Sequence, residues 1–160
     1  FRIAAVVTVE CGCDAQLKPL AGLFDITVDR LFGQQITREL LDHTTVSKWN
    51  WLDGSETTLL VAADYGCVSN NGTKGNPCLV VDILGDWREE VIWRTEDNSE
   101  LRIFTSTEPT DHRFTTLMHD PLYRLSVAWQ NVSYNQPTQV GFYMGAGMGT
   151  PTRPDVYIAP

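Results

Sequence analysis

The chain has 160 residues, 42% of them hydrophobic, and a formal charge of −8 from 20 acidic against 12 basic residues. That composition suits one ordinary domain with a real core, and the lack of any run of about 18 apolar residues excludes a helical membrane span. The acidic balance argues against a nucleic-acid partner, because phosphate binding needs a basic footprint.

Taken in chain order, residues 3–9 (IAAVVTV) are too short to cross a bilayer. They read as a buried strand in preference to the remnant of a signal-peptide apolar region. The rest of residues 1–35 shows no clear pattern. Within 36–49 (ITRELLDHTTVSKW) one helical turn fits around Glu39–Leu41, and β-branched Thr44, Thr45 and Val46 then resume a strand. After about residue 55 a period of two dominates. It predicts strands at 57–62 (TTLLVA), 78–84 (CLVVDIL), 89–95 (EEVIWRT), 101–105 (LRIFT) and 125–130 (LSVAWQ). Turn residues separate them at Asn71-Gly72, Gly85-Asp86, Asp97-Asn98-Ser99 and Pro109. Short strands at such spacing imply an all-β sandwich, barrel or propeller. The rhythm of 85–130 suits one four-stranded propeller blade, with Trp93, Phe104 and Trp129 as core residues or as wedges between blades. The tail, 145–155, is rich in Gly, Pro and Thr and reads as an extended closing segment. No linker divides the chain into two domains.

Four cysteines are present: Cys11, Cys13, Cys67 and Cys78. Cys11-x-Cys13 lacks zinc-knuckle spacing and a matching second pair. Cys67 and Cys78 flank a polar loop that a disulfide could close in an exported protein. Asn71-Gly72-Thr73 and Asn131-Val132-Ser133 are glycosylation sequons, relevant only in a host that glycosylates.

The strongest chemical signal is 82–90, DILGDWREE. Asp82, Asp86 and Glu90 stand at positions 1, 5 and 9 of a strand-turn-strand unit, and a tight turn at Gly85 would fold them round one point. Calcium takes six to eight oxygens, mixing carboxylates with main-chain carbonyls, which Leu84 and Arg88 at positions 3 and 7 could supply. The pattern is similar to the Asp-x-Asp-x-Asp-Gly loops of integrin-like propellers with Leu84 in place of the middle Asp. It is no EF-hand, since no helices flank it. Glu89 competes with Glu90, because alternation puts the two on opposite faces. The bland alternative is an acidic turn with a solvated face. Just upstream, 69–77 (SNNGTKGNP) predicts a tight turn at Asn71-Gly72 with Thr73 and Lys74 at its exit. Lysine flanked by amide side chains suits a sugar acid, although a lone loop lysine is usually just solvated. A divalent cation beside it would let an acidic surface accept such an anion.

Read together, residues 70–137, from NNGTKGNPCLVVDILGDWREEVIWRTEDNSELRIFTSTEPTDHRF to LSVAWQNVSYNQP, closely resemble the last blades of family 11 rhamnogalacturonan lyases. RELLDHTTVSKW (38–49) resembles the preceding blade and FYMGAGM (142–148) the closing region, while residues 1–35 match poorly. The resemblance implies an all-β fold: two to three blades of an eight-bladed, calcium-loaded propeller, made by residues 36–160 as the C-terminal portion of a longer enzyme. That enzyme would be secreted, monomeric at full length, and would bind rhamnogalacturonan I, a galacturonate-containing polysaccharide. Mapped onto this sequence, the family's substrate contacts fall on Asn71, Gly72, Thr73, Lys74 and Tyr134.

The implied reaction is β-elimination, in which a base removes the proton α to the galacturonate carboxylate and the glycosidic oxygen leaves from the β carbon. Lys74 is the candidate base if its pKa is lowered, and otherwise a carboxylate binder. Tyr134 could stack on a sugar ring, protonate the leaving oxygen, or simply fill a loop. Asn131 and Asn135 straddle Tyr134 and offer amide oxygens to a metal. His119 reads as a buried structural histidine beside Asp120, and His112 as a loop residue. The alternative function is a non-catalytic, calcium-dependent carbohydrate-binding or structural β module. Two blades with bare edges should be marginal alone unless residues 1–35 cover an edge.

Overall fold

The computed structural model describes residues 2–10, 18–19, 24–25, 39–50, 52–72, 75–106, 109–130, 132, 137–145, 147–153, 155 and 157. Most of the regular structure is β. The strands are β1 (Arg2–Glu10), β2 (Lys18–Pro19), β3 (Phe24–Asp25), β4 (Leu40–Asp42), β5 (Thr45–Asn50), β6 (Ser55–Val61), β7 (Cys67–Val68), β8 (Leu79–Val81), β9 (Glu90–Thr95) and β10 (Glu100–Ser106). Among the described residues one α-helix, α1 (Pro121–Trp129), follows them, and short 3-10 turns lie at Ala62–Tyr65 and Leu117–His119.

β4, β5 and β6 form an antiparallel meander. β5 and β6 are joined by a turn in which Gly54, at φ 69°, closes back onto Asn50 O at 2.9 Å, a conformation that glycine adopts without steric cost. The larger sheet runs β2-β1-β10-β9-β7, with β3 also on β1 and β8 also on β9. Its centre is the β9–β10 hairpin, in register Arg94 opposite Leu101 and Val91 opposite Phe104. The Asp97-Asn98-Ser99 turn forms where the sequence predicts it. Asn98 takes φ 60°, and Asp97 Oδ1 accepts from Thr95 Oγ1 at 2.6 Å and Ser99 N at 3.1 Å.

The core lies where the two sheets meet. Val46, Leu59 and Leu60 from the meander pack with Ala62, Cys67, Trp93 and Phe104. Trp93 is fully buried and meets Phe104 edge to face, centroids 5.3 Å apart, the arrangement that aromatic quadrupoles prefer. Of the two roles open to Trp93 and Phe104, the core role is the one observed.

Residues 3–9 lie in a strand as expected, and β1 pairs antiparallel with β10 from Val6 opposite Phe104 to Glu10 opposite Glu100. The N-terminal segment therefore covers the β10 edge, the condition set for two blades to stand alone. Two local expectations are corrected. Leu40–Asp42 is a strand and not a helical turn, because its backbone is taken up by β5. Residues 125–130, expected as a strand, belong to α1 and its C-terminal end. Asp120 caps that helix, its Oδ1 accepting from Leu122 N at 3.0 Å, and Pro121 occupies the first turn, where its missing N–H costs nothing. The buried positions Tyr123, Ser126 and Gln130 follow the helical period of three to four, not the alternation of Leu125, Val127 and Trp129. Among the described residues of 85–130 two strands and one α-helix thus stand where four strands were expected. The described residues are β-rich with one helix, which agrees with the all-β expectation at that coarser level.

Candidate functional site

The described residues of the polar loop, 69–72 and 75–77, are firmly tied to one another at its base. Asn71 and Asn76 form an antiparallel bridge. Gly75 N donates to Asn71 O at 3.0 Å and Asn70 N to Asn76 O at 2.7 Å, while Ser69 Oγ donates to Asn71 O at 2.9 Å. Asn70, Asn71 and Gly72 are exposed and Gly75, Asn76 and Pro77 buried. The hairpin therefore presents its tip and anchors its base. Of the expected contacts, Asn71 and Gly72 are on this tip, whereas Thr73, Lys74, Asn131 and Tyr134 lie outside the described residues, as do Cys11, Cys13 and Asn135.

A contact that sequence reasoning missed sits against this base. The β4–β5 turn carries His43 at φ 54°, and its backbone N–H donates to Gly75 O at 2.9 Å. Its ring Nδ1 lies 2.8 Å from Asp42 Oδ1. A carboxylate accepts only, so the proton on that nitrogen belongs to histidine. No spacing rule links residues 42–43 with residue 75. The one available signal was an Asp-His pair at a turn between two strands.

The acidic turn 82–90 is formed, with Gly85 at φ 75° and Trp87 at φ 72°. The carboxylates of Asp82, Asp86 and Glu90 accept from N–H and O–H donors at every oxygen except Asp82 Oδ1. Asp82, 1% exposed, accepts at Oδ2 from Thr116 Oγ1 at 2.7 Å, Leu117 N at 2.8 Å and Trp87 N at 3.2 Å. Glu90, wholly buried, accepts at Oε2 from Ile83 N at 3.0 Å and Leu84 N at 3.1 Å, and at Oε1 from Thr105 Oγ1 at 2.9 Å. Burial nevertheless raises its pKa. Asp86 pairs with Arg88, which donates from its backbone N, Nε and Nη2.

These facts do not fit a calcium ion held jointly by Asp82, Leu84, Asp86, Arg88 and Glu90. The main chain of Leu84 and Arg88 meets the carboxylates through N–H groups, and inward N–H dipoles repel a cation. Asp82 Oδ1 is buried with no hydrogen-bond partner among the described residues, but one oxygen is far from six to eight. Among the described residues no three His, Cys, Asp or Glu side chains come together to hold a metal. An antiparallel turn can fold carboxylates at a 1, 5, 9 spacing onto its own amides as well as round an ion.

Glu89, on the opposite face from Glu90, receives Tyr123 Oη at 2.9 Å and also the Thr138 hydroxyl. Tyr123 in turn accepts Asp82 N at 2.8 Å. Burial, then the Glu89 charge, raises the Tyr123 pKa, so this phenol is a fixed tie between α1, the acidic turn and the tail. His119 precedes α1 and lines a cavity of about 110 Å³ with Thr116, Asp120 and Phe142, its Nδ1 buried and without a partner among the described residues. His112 stacks on Phe114 and accepts Trp87 Nε1 at its carbonyl. No disulfide joins Cys67 and Cys78. Burial pushes the Cys67 thiol up to about 11 and raises that of Cys78, which keeps both protonated near neutral pH.

A sequence model described as "Rhamnogalacturonan lyase family 11, C-terminal domain" matches residues 23–154. The chain belongs to rhamnogalacturonan lyase family 11. It is similar to rhamnogalacturonan endolyase YesW of Bacillus subtilis, 52% identical over 122 residues, which cover 76% of this chain and 19% of YesW. Rhamnogalacturonan exolyase YesX of the same organism is 54% identical over 132 residues, 78% of this chain and 21% of YesX. The solved structure of a Bacillus licheniformis rhamnogalacturonan lyase superposes with a TM-score of 0.73 at 56% identity, covering 77% of this chain and 21% of that one. The solved structure of YesW gives a TM-score of 0.72 over 76% of this chain and 21% of YesW. The chain thus spans about a fifth of the length of the family 11 relatives it matches. Its identity to an endolyase and to an exolyase is nearly equal, so the two modes of family 11 share this segment.

Proposed function

We propose that this chain is a working part of a rhamnogalacturonan lyase and supplies one wall of its polymer-binding cleft through the 71–76 hairpin. The observation that carries the reading is that hairpin, with an exposed Asn71-Gly72 tip on a base tied by the Asn71–Asn76 bridge, in a chain of family 11. Amides on a rigid turn can meet sugar hydroxyls without ordering a flexible loop at each binding event. Lys74, next along the same loop, supplies the positive charge that a galacturonate carboxylate needs.

The reaction is β-elimination. The C–H bond α to the carboxylate breaks, its proton goes to a base, its electron pair forms the new carbon–carbon double bond, and the glycosidic oxygen leaves with a proton. Lys74 serves as base or as carboxylate binder, and Tyr134 as leaving-group donor or stacking surface. Calcium, which the family resemblance implies, would when bound stabilise the charge that develops on the carboxylate. The 82–90 turn does not fit it, and no step is assigned to it. A polymer of this size is met outside the cell, so the reading includes export.

The test is twofold. Titration of the chain with a rhamnogalacturonan I oligosaccharide should perturb the NMR signals of Asn70, Asn71, Gly72 and Gly75, and Lys74→Ala should weaken it by tenfold or more, on the order of one lost charge-assisted contact. Absorbance of the unsaturated uronate reports turnover. Binding without product supports the second reading, a carbohydrate-binding module. No perturbation at the hairpin ends both.

A further inference from the structure

We propose that the Asp42–His43 turn is the positioning element of the 71–76 hairpin, setting the height at which its tip meets a bound sugar acid. The inference rests on the reading of that hairpin as a sugar-binding element and adds to it a residue pair from a different sheet.

Three observations converge on His43. First, its backbone is used at both ends: its N–H donates to Gly75 O at 2.9 Å, and its C=O accepts from Trp93 Nε1 at 3.0 Å. The hairpin base is thereby linked through one residue to the most deeply buried aromatic of the core. Second, His43 holds φ 54°, a left-handed conformation that non-glycine residues seldom keep without a reason, and it is this turn that aims the N–H at Gly75. Third, the approach is close. A Cβ on Gly75, which has φ 57°, would lie 2.8 Å from both Asp42 Oδ1 and His43 Nδ1. Glycine suits that left-handed φ, and the exposed side-chain ends of Asp42 and His43, 2.8 Å from each other, would have to give way to a Cβ.

The consequence follows from chain connectivity. Gly75 is one bond from Lys74 and closes the hairpin by donating to Asn71 O. A fixed Gly75 therefore fixes one end of the tip. If it rose by an ångström, the Asn71 amide would have to find the sugar acid by moving, and misplacement on that scale is costly in binding and rate alike. His43 acts through Gly75 and is a positioning residue, not a catalytic one.

The experiment uses the chain as it stands, with four variants: His43→Val, His43→Asn, Gly75→Ala and Asp42→Ala. Amide hydrogen exchange at Asn70 and Gly75 is read by NMR, beside the affinity for a rhamnogalacturonan I oligosaccharide. His43→Val, whose branched side chain resists the left-handed region, and Gly75→Ala should speed exchange at these two amides. Both should also weaken the oligosaccharide by about tenfold or more. His43→Asn, which accepts that region, should keep both properties near the unsubstituted chain, a rescue that a general packing role for the ring would not give. Asp42→Ala lies on the surface and should shift the His43 ring signals while leaving exchange at Gly75 near that of the unsubstituted chain, because the His43 backbone N–H makes the contact to Gly75 O. Unchanged exchange in His43→Val and Gly75→Ala overturns the proposal, as does faster exchange with unchanged affinity. Should one of these two variants fail to fold, the other decides; should both fail, Trp93→Phe, which loses the bond to the His43 carbonyl, decides by the same two readouts. If the unsubstituted chain ignores the oligosaccharide while exchange still responds to the variants, the sugar-binding reading is what has failed, and the positioning role falls with it.

Discussion

The side chain of Gln130 forms a two-way hydrogen-bonded pair with the main chain of Val80: Oε1 accepts Val80 N–H at 2.9 Å and Nε2 donates to Val80 O at 2.7 Å. β8 has β9 on one side. On the other, an amide side chain at the end of α1 makes the bonds that a neighbouring strand would make. Sheet edges with bare N–H and C=O groups invite pairing with other chains, and here a helix that the sequence pattern had read as a strand closes one.

Gln130→Ala should therefore leave both Val80 groups without protein partners and destabilise the chain by about 1–3 kcal/mol. Gln130→Glu keeps the acceptor for Val80 N–H but loses the donor to Val80 O, and should behave nearly as badly. Denaturant midpoints at equal slope measure both. An unchanged midpoint for alanine would mean that water serves the edge as well as the amide does.

Trp93 ties the core to Gly75 by way of His43. Trp93→Ala removes a wholly buried indole and its contact with Phe104, with an expected loss of about 3–5 kcal/mol. Trp93→Phe keeps much of the volume yet loses the bond to His43 O. It should cost about 1–3 kcal/mol and, more tellingly, speed amide exchange at Gly75. A milder melt with no change at Gly75 would separate the core from the loop.

Glu90 discriminates a self-satisfied turn from a metal chelate. Burial raises its pKa above 4.5, so the stability that comes from its protonated form is complete below its unfolded value and is lost as pH rises through the raised folded value. Glu90→Gln, never charged, can still accept from Ile83 and Leu84 and offer a donor to Thr105. Its stability relative to the parent should improve between pH 4.5 and 7, followed by thermal melts across that range. Calcium should shift the melting temperature of parent and variant alike or of neither. A calcium-induced rise confined to the parent would restore the chelate.

Asp97 has the opposite sign. The hydroxyl of Thr95 first, then the amide and hydroxyl of Ser99, hold its carboxyl down to about 2. Its contribution is present above the unfolded value near 3.8 and is lost as pH falls through the folded one. Asp97→Asn should flatten the acid limb of the stability curve between those values and leave the neutral region nearly level. An acid limb identical to the parent's would show that the turn is kept by Asn98 alone.

Much of this protein was legible from its residues alone. The period of two announced strands β6, β9 and β10, because alternation is a local property that a twisted sheet simply displays on its two faces. Asp97-Asn98-Ser99 announced its turn because short polar side chains capture their own neighbouring amides. The run from Asn70 to Pro137 announced the family. What tertiary structure alone decided was the pairing of distant groups. The Asp120-Pro121 cap outweighed the alternation of Leu125, Val127 and Trp129 once Tyr123, Ser126 and Gln130 had partners to bury against. Asp82 and Glu90 turned onto amides and hydroxyls, some of them supplied by Thr105, Thr116 and Leu117. His43 met Gly75 across 32 positions of chain. A sequence lists which atoms can donate and accept, but only the closed fold settles which of them arrive within 3 Å of one another, and it is that arrival that separates a metal ligand from a buried tie.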